Sequence, residues 1–151
     1  MPVLRSLLLL LLALPVSPDA PLIKARHVEI AVRPAGVASF AAGSTATLRL
    51  EVRPRPGRYL YAPGQAGYVG FTLTFDAASG IKAGKLGLPK PEPYVFEPTG
   101  ERLEVFRQAF EITQPVTFTR AAEAPIAATL RYQACDTEVC YRPEDVRVEW
   151  Q

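Results

Sequence analysis

Cys135 and Cys140 are the only two cysteines in the chain, and four residues separate them in Cys135-Asp-Thr-Glu-Val-Cys140. Two sulfurs at this spacing could close a small disulfide ring, share a metal ion, or exchange electrons with another thiol pair. As a staple the ring is poor: the chain-entropy argument gives roughly 2 kcal/mol for so short a loop and roughly 4 to 5 for one of about 100 residues. A closed zinc site needs four Cys or His ligands, and the chain offers one histidine besides the cysteines, His27, far away in sequence; no metal site is expected. Asp136 and Glu138 put negative charge beside the sulfurs, which disfavours thiolate and raises the thiol pKa, while Arg142 opposes them in part. A thiol of that kind is slow in free solution and suits exchange inside a docked complex. The same two acids also fit ordinary solvated turn residues, and a purely structural local disulfide remains open.

Other chemistries find little support. There is no serine nucleophile elbow, phosphate loop, HExxH helix or EF-hand loop. His27 stands alone at the head of a strand pattern, where a surface position is expected. The formal net charge of +2 over 151 residues gives no reason to expect nucleic acid as a partner. No cofactor and no small-molecule substrate are expected.

The elements that must hold the pair read as strands. Val28, Ile30 and Val32 alternate with polar neighbours, as do Ala46, Leu48, Leu50 and Val52, and the second run stops at the turn Pro54-Arg-Pro-Gly57. Arg58–Ala62 is a short strand with Tyr59 and Tyr61 on one side. Val69–Phe75 follows, then a turn-rich stretch over residues 76–85 and a short strand at Leu86–Leu88. Residues 89–101 contain Pro89, Pro91, Pro93 and Pro98 and are expected to be an irregular loop that nevertheless carries Tyr94, Val95 and Phe96. Leu103–Ile112 reads as one long strand with mixed faces, Pro115–Thr119 as a further short one, and residues 121–125 as a turn. Ile126–Tyr132 leads into the cysteines, and Val146–Trp150 closes the chain. Eight or nine short strands without helical periodicity imply an all-β, immunoglobulin-like antiparallel sandwich, and its usual inter-sheet disulfide is ruled out because both cysteines lie in one stretch.

The first residues read as an address. Arg5, the run Leu7–Leu14 and the break from Pro15 to Ala20 have the charged start, apolar centre and small-residue end of a secretory signal peptide. The apolar run is short of the roughly 20 residues that span a bilayer. Residues 1–20 are therefore expected to be a leader, with the cleavage site unassigned and a retained anchor as the alternative, and 21–151 an exported domain, in a compartment where disulfides persist.

Three segments resemble the N-terminal periplasmic domain of the thiol:disulfide interchange protein DsbD. Tyr132-Gln-Ala-Cys-Asp-Thr-Glu-Val-Cys-Tyr-Arg-Pro-Glu144 resembles its cysteine motif, Gly57-Arg-Tyr-Leu-Tyr61 its G-x-Y-x-Y strand, and Gly84-Lys-Leu-Gly-Leu-Pro-Lys-Pro91 its proline-containing segment before a cap loop. The resemblance implies a periplasmic thiol–disulfide oxidoreductase whose Cys140 attacks and whose Cys135 resolves the mixed disulfide. It implies flanking rings from Tyr59 and Tyr61, and a cap over the pair from Phe96, with Tyr94 second; Tyr141 is counted among the flanking residues. Its partners would be thioredoxin-fold proteins and a membrane thiol electron donor. Arg142 departs from the pattern, standing where the family often has another proline. The competing reading is a non-enzymatic immunoglobulin-like binding module whose disulfide only stiffens a loop.

Overall fold

The computed structural model describes residues 20–151. The expected leader over residues 1–20 lies outside the described residues except for Ala20. The fold is an all-β, immunoglobulin-like antiparallel sandwich. Its strands are β1 (Leu22–Lys24), β2 (Val28–Arg33), β3 (Ser39–Phe40), β4 (Thr45–Pro54), β5 (Tyr59–Tyr61), β6 (Thr72–Phe75), β7 (Ile81–Ala83), β8 (Glu92–Phe96), β9 (Glu101–Phe106), β10 (Phe110–Phe118), β11 (Ala122–Glu123), β12 (Ile126–Tyr132), β13 (Ala134–Cys135) and β14 (Glu144–Trp150). Eight of the fourteen have four residues or more, but they are not the same set as the eight or nine read from the sequence, which includes the three-residue β5 and Leu86–Leu88 and lacks β8.

One sheet runs β1-β2-β4-β10-β7 and a second β14-β12-β6, all neighbours antiparallel. Strict alternation along β2, β10, β12 and β14 turns Val28, Ile30, Val32, Ile112, Val116, Ala128, Leu130, Val148 and Trp150 into one core, as a half-buried strand requires. The Trp150 Nε1–H donates to the Arg49 carbonyl at 3.0 Å, so the largest core side chain, on β14, is tied to the backbone of β4.

A third sheet, β13-β5-β9-β8, carries the cysteine strand, and its strands β13 and β5 are buried on both faces. Register sets the faces: Ala134 pairs with Leu60 and Leu60 with Phe106, while Cys135 pairs with Tyr59 and Tyr61 with Val105. Leu60, Phe106 and Ala134 join the main core. Tyr59, Tyr61, Leu103, Val105, Phe96 and Cys135 form a second, smaller cluster.

Several sequence expectations are corrected here. Residues 89–101 are not irregular: Glu92–Phe96 pairs with β9 from Glu92↔Val105 to Phe96↔Glu101. Pro93 is tolerated because β8 is the outermost strand, where one side of the backbone has no ladder to donate to. Leu103–Ile112 is two strands. The break at residues 107–109 shifts the inward parity from Leu103 and Val105 to Phe110 and Ile112, which is why the run shows no clean face. Pro115–Thr119 is largely the end of β10. The turn-rich stretch holds β7, whereas Leu86–Leu88 contributes only a bridge from Gly87 to Thr113. The expected turn over residues 121–125 includes β11.

Candidate redox-active cysteine site

Tyr132 ends β12, and after Gln133 the chain re-enters a sheet as β13, which delivers Cys135 to the edge of β5. A four-residue turn then brings Cys140 back opposite Cys135 as an antiparallel bridge. The bonds on either side are Asp136 N–H to Val139 O at 3.0 Å and Tyr141 N–H to Ala134 O at 2.9 Å. Cys135 and Cys140 are thus a non-hydrogen-bonded pair, the kind whose Cα atoms lie about 4.5 Å apart. That separation falls at the close end of the range a disulfide spans, so the bond can form and break with little backbone movement.

The two sulfurs have different surroundings. Cys135 is fully buried and Cys140 is exposed. One hydroxyl reaches both: the Cys135 thiol donates to Tyr61 Oη at 2.7 Å, and that oxygen lies 3.0 Å from Cys140 Sγ. Burial pushes the Cys135 thiol up, with the Cys140 sulfur adding to the shift and the Tyr61 hydroxyl opposing it. The direction matches the sequence expectation, but desolvation is the main cause where charge from Asp136 and Glu138 was expected. Burial and the two thiols likewise raise Tyr59 and Tyr61, so both hydroxyls stay protonated. The Tyr59 hydroxyl is buried without a hydrogen-bond partner.

Asp136 organises the turn. Its Oδ1 accepts the Glu138 and Val139 amides at 2.9 and 2.8 Å, and its Oδ2 accepts the Tyr141 hydroxyl at 2.6 Å and Arg58 Nη1 at 3.0 Å. The Tyr141 hydroxyl and the two amides hold its carboxyl down at about 2, so it is ionised at any ordinary pH. Behind it, the Arg58 guanidinium lies 4.9 Å from the Tyr141 ring centre, and His27 stacks on that ring at 4.3 Å. His27, expected at the surface, is 4 % exposed: its ring is stacked on Tyr141, and Arg55 N–H bonds its carbonyl at 2.9 Å.

Tyr59, Tyr61 and Phe96 lie in one buried cluster with Cys135, and Tyr94 packs against that cluster, 4.5 Å from the Tyr59 ring. Tyr141 does not join them: it packs against the main core and points its hydroxyl at Asp136. Phe96 and Tyr94 are carried by β8 of the β8–β9 hairpin, in or against the cluster that holds Cys135, while Cys140 is exposed. Beside Cys140 a groove of about 520 Å³ runs past His27, Arg142 and Glu144. Sequence reasoning missed Arg58, the binding role of Asp136, and Tyr68, which stacks on Tyr61 at 4.2 Å and donates its hydroxyl to Glu101. An Asp whose carboxylate accepts the amides two and three residues on is a recognisable turn signal; nothing local to Tyr68 points to its place.

Residues 29–150 match the family described as thiol:disulfide interchange protein DsbD, N-terminal. Among solved structures, the Neisseria meningitidis DsbD N-terminal domain in its reduced form aligns at 24 % identity over 76 % of this chain and 83 % of its own, with a TM-score of 0.51. The N-terminal periplasmic domain of ScsB from Proteus mirabilis aligns at 13 % identity over 87 % of this chain and 50 % of its own, with a TM-score of 0.63. Both likenesses are of fold. No curated protein matches the chain.

Proposed function

Because the chain belongs to the DsbD N-terminal domain family, we propose that it is a periplasmic oxidoreductase module in which Cys140 attacks and Cys135 resolves. Thiol–disulfide exchange is the family's business; the assignment of roles rests on exposure. Cys140 thiolate attacks a disulfide of a thioredoxin-fold partner, forming a mixed disulfide and releasing one partner sulfur, which takes up a proton. Cys135 then gives up its proton and attacks Cys140 Sγ, closing the Cys135–Cys140 bond and releasing the second partner sulfur as a thiol. Two electrons leave this protein and reduce the partner. A membrane thiol donor restores the dithiol by the reverse sequence. Residues 1–20 act as the export leader and 21–151 as the exported domain; no helix among the described residues is long and apolar enough to cross a membrane.

The observation that carries this reading is the placement of the pair: directly opposed across a tight hairpin, one sulfur exposed and one buried. A cross-link serving only stability gains nothing from presenting one sulfur at the surface. Two measurements test it. The reduction potential of the purified protein, titrated against glutathione and dithiothreitol, is expected above about −300 mV, the region below which structural disulfides lie; a value below it favours the stiffened binding module. Cys135→Ser is expected to accumulate a covalent adduct with an oxidised thioredoxin-fold protein, and Cys140→Ser is not. Equal trapping by both variants would reverse or remove the assignment.

A further inference from the structure

Resting on the exchange reading above, we propose that Asp136 is the positioning residue that sets how readily the pair closes and opens, by fixing the turn between the two sulfurs while they are both thiols. The turn has four residues, and a loop that short closes efficiently only if its ends are already held together. Backbone bonding supplies part of that hold, at Asp136 N–H to Val139 O and Tyr141 N–H to Ala134 O. The Asp136 carboxylate supplies the rest. Oδ1 ties down two amides inside the turn, and Oδ2 ties the turn to Tyr141, immediately after Cys140, and to Arg58, immediately before the strand that carries Tyr59 and Tyr61. One side chain therefore links the Cys140 side of the hairpin to β5, the strand Cys135 pairs with. Tyr141 packs with the main core and not with the tyrosine cluster, and none of the hydrogen bonds to the Asp136 carboxylate comes from a sulfur; Asp136 acts through the backbone.

The consequence is directional. A dithiol whose turn is already ordered loses little freedom when the S–S bond forms, so Asp136 favours the closed disulfide and makes the module the better electron donor. Without the carboxylate the open form relaxes, closure has to order it again, and the disulfide becomes easier to reduce. Asp136→Ala is expected to lower the equilibrium constant for ring closure about tenfold, a move of about 30 mV to less negative potential. Asp136→Asn keeps an Oδ1 acceptor for the two amides and loses the charged partner of Arg58, so it is expected to fall between wild type and Asp136→Ala. Arg58→Met is expected to shift the constant in the same direction by about twofold to threefold, with no added effect in the Asp136→Ala background, because it acts through the same carboxylate.

The experiment is a dithiothreitol and glutathione redox titration of the full chain and these variants, with thermal melts of each in the oxidised and reduced forms. Dithiothreitol reduces even a structural cross-link, so the comparison among variants stands whether or not the wild-type potential supports exchange. A residue that merely stabilised the fold would lower both melting temperatures equally and leave the equilibrium constant alone. The proposal is overturned if Asp136→Ala stays within about twofold of wild type, or if its disulfide becomes harder to reduce.

Discussion

The Tyr61 hydroxyl takes a hydrogen bond from the Cys135 thiol and lies within reach of Cys140 Sγ, so Tyr61→Phe strips a partner from a buried thiol while leaving the ring stacked on Tyr68. The lost bond is expected to cost about 1 kcal/mol of stability, as read from urea unfolding of the reduced protein. It also removes an influence that holds the Cys135 pKa down, so the Cys135 thiol should ionise still less readily. Alkylation of the reduced protein, followed by mass spectrometry, should label Cys140 first and Cys135 only slowly; equal labelling would contradict the burial difference on which the division of roles rests. Asp136 has a depressed carboxyl pKa, so whatever it contributes is present in full above its ordinary value of 3.8 and is lost only as pH falls toward about 2. The gap between wild type and Asp136→Ala in the redox titration should therefore be the same from about pH 5 to about pH 8.

At the scale of the element, β5 is the strand on which the site depends. Its three residues are all buried, Leu60 toward the main core and the two tyrosines toward the cysteine cluster. Leu60→Ala is expected to cost about 2 to 5 kcal/mol, because a cavity there undermines both faces at once; a urea midpoint close to wild type would show that β5 is not the shared support. The segment carrying Tyr68 depends on a close approach. A Cβ on Gly70 would stand 2.4 Å from Pro63 Cα and 2.6 Å from Pro63 N, which the backbone can relieve only by moving the turn over residues 63–68. Gly70→Ala is expected to lose about 1 to 3 kcal/mol and to shift Tyr68 off Tyr61, measurable as a change in the tyrosine ring chemical shifts. The β8–β9 hairpin is a different case. Its outer strand β8 has no neighbour on one side and is tied to the sheet through β9 alone.

Across the whole molecule, the two clusters are joined through the third sheet, whose strands β13, β5 and β9 each give residues both to the main core and to the cysteine cluster. The His27, Tyr141 and Arg58 stack is where the site meets the main fold, and it makes stability depend on pH. Burial lowers the His27 pKa from 6.5, with Arg58, Arg26 and Arg55 pushing the same way and Glu144 opposing them. The unfolded chain then takes up a proton that the folded chain resists, so stability is full above about pH 6.5 and declines as pH drops below it. Unfolding measured between about pH 7.5 and about pH 5 should show that decline, and His27→Phe, which keeps a ring against Tyr141, should flatten it. A decline of the same size in the variant would place its origin elsewhere.

Residue type and spacing alone determined the strand patterns of β2, β4, β12 and β14, the sandwich class, and the candidacy of Cys135 and Cys140, because each of these is encoded locally: period-two alternation, turn residues, and two rare sulfurs close together. The sequence also placed Tyr59 and Tyr61 on one side of a strand. Tertiary structure alone decided which side that was, because the face of a strand covered on both sides has no polar pattern to mark it. It likewise decided that Cys135 is buried while Cys140 is not, that Glu92–Phe96 is an edge strand in spite of Pro93, and that His27 lies inside. Each of those outcomes depends on what a distant strand brings alongside, and no window of neighbouring residues contains that partner.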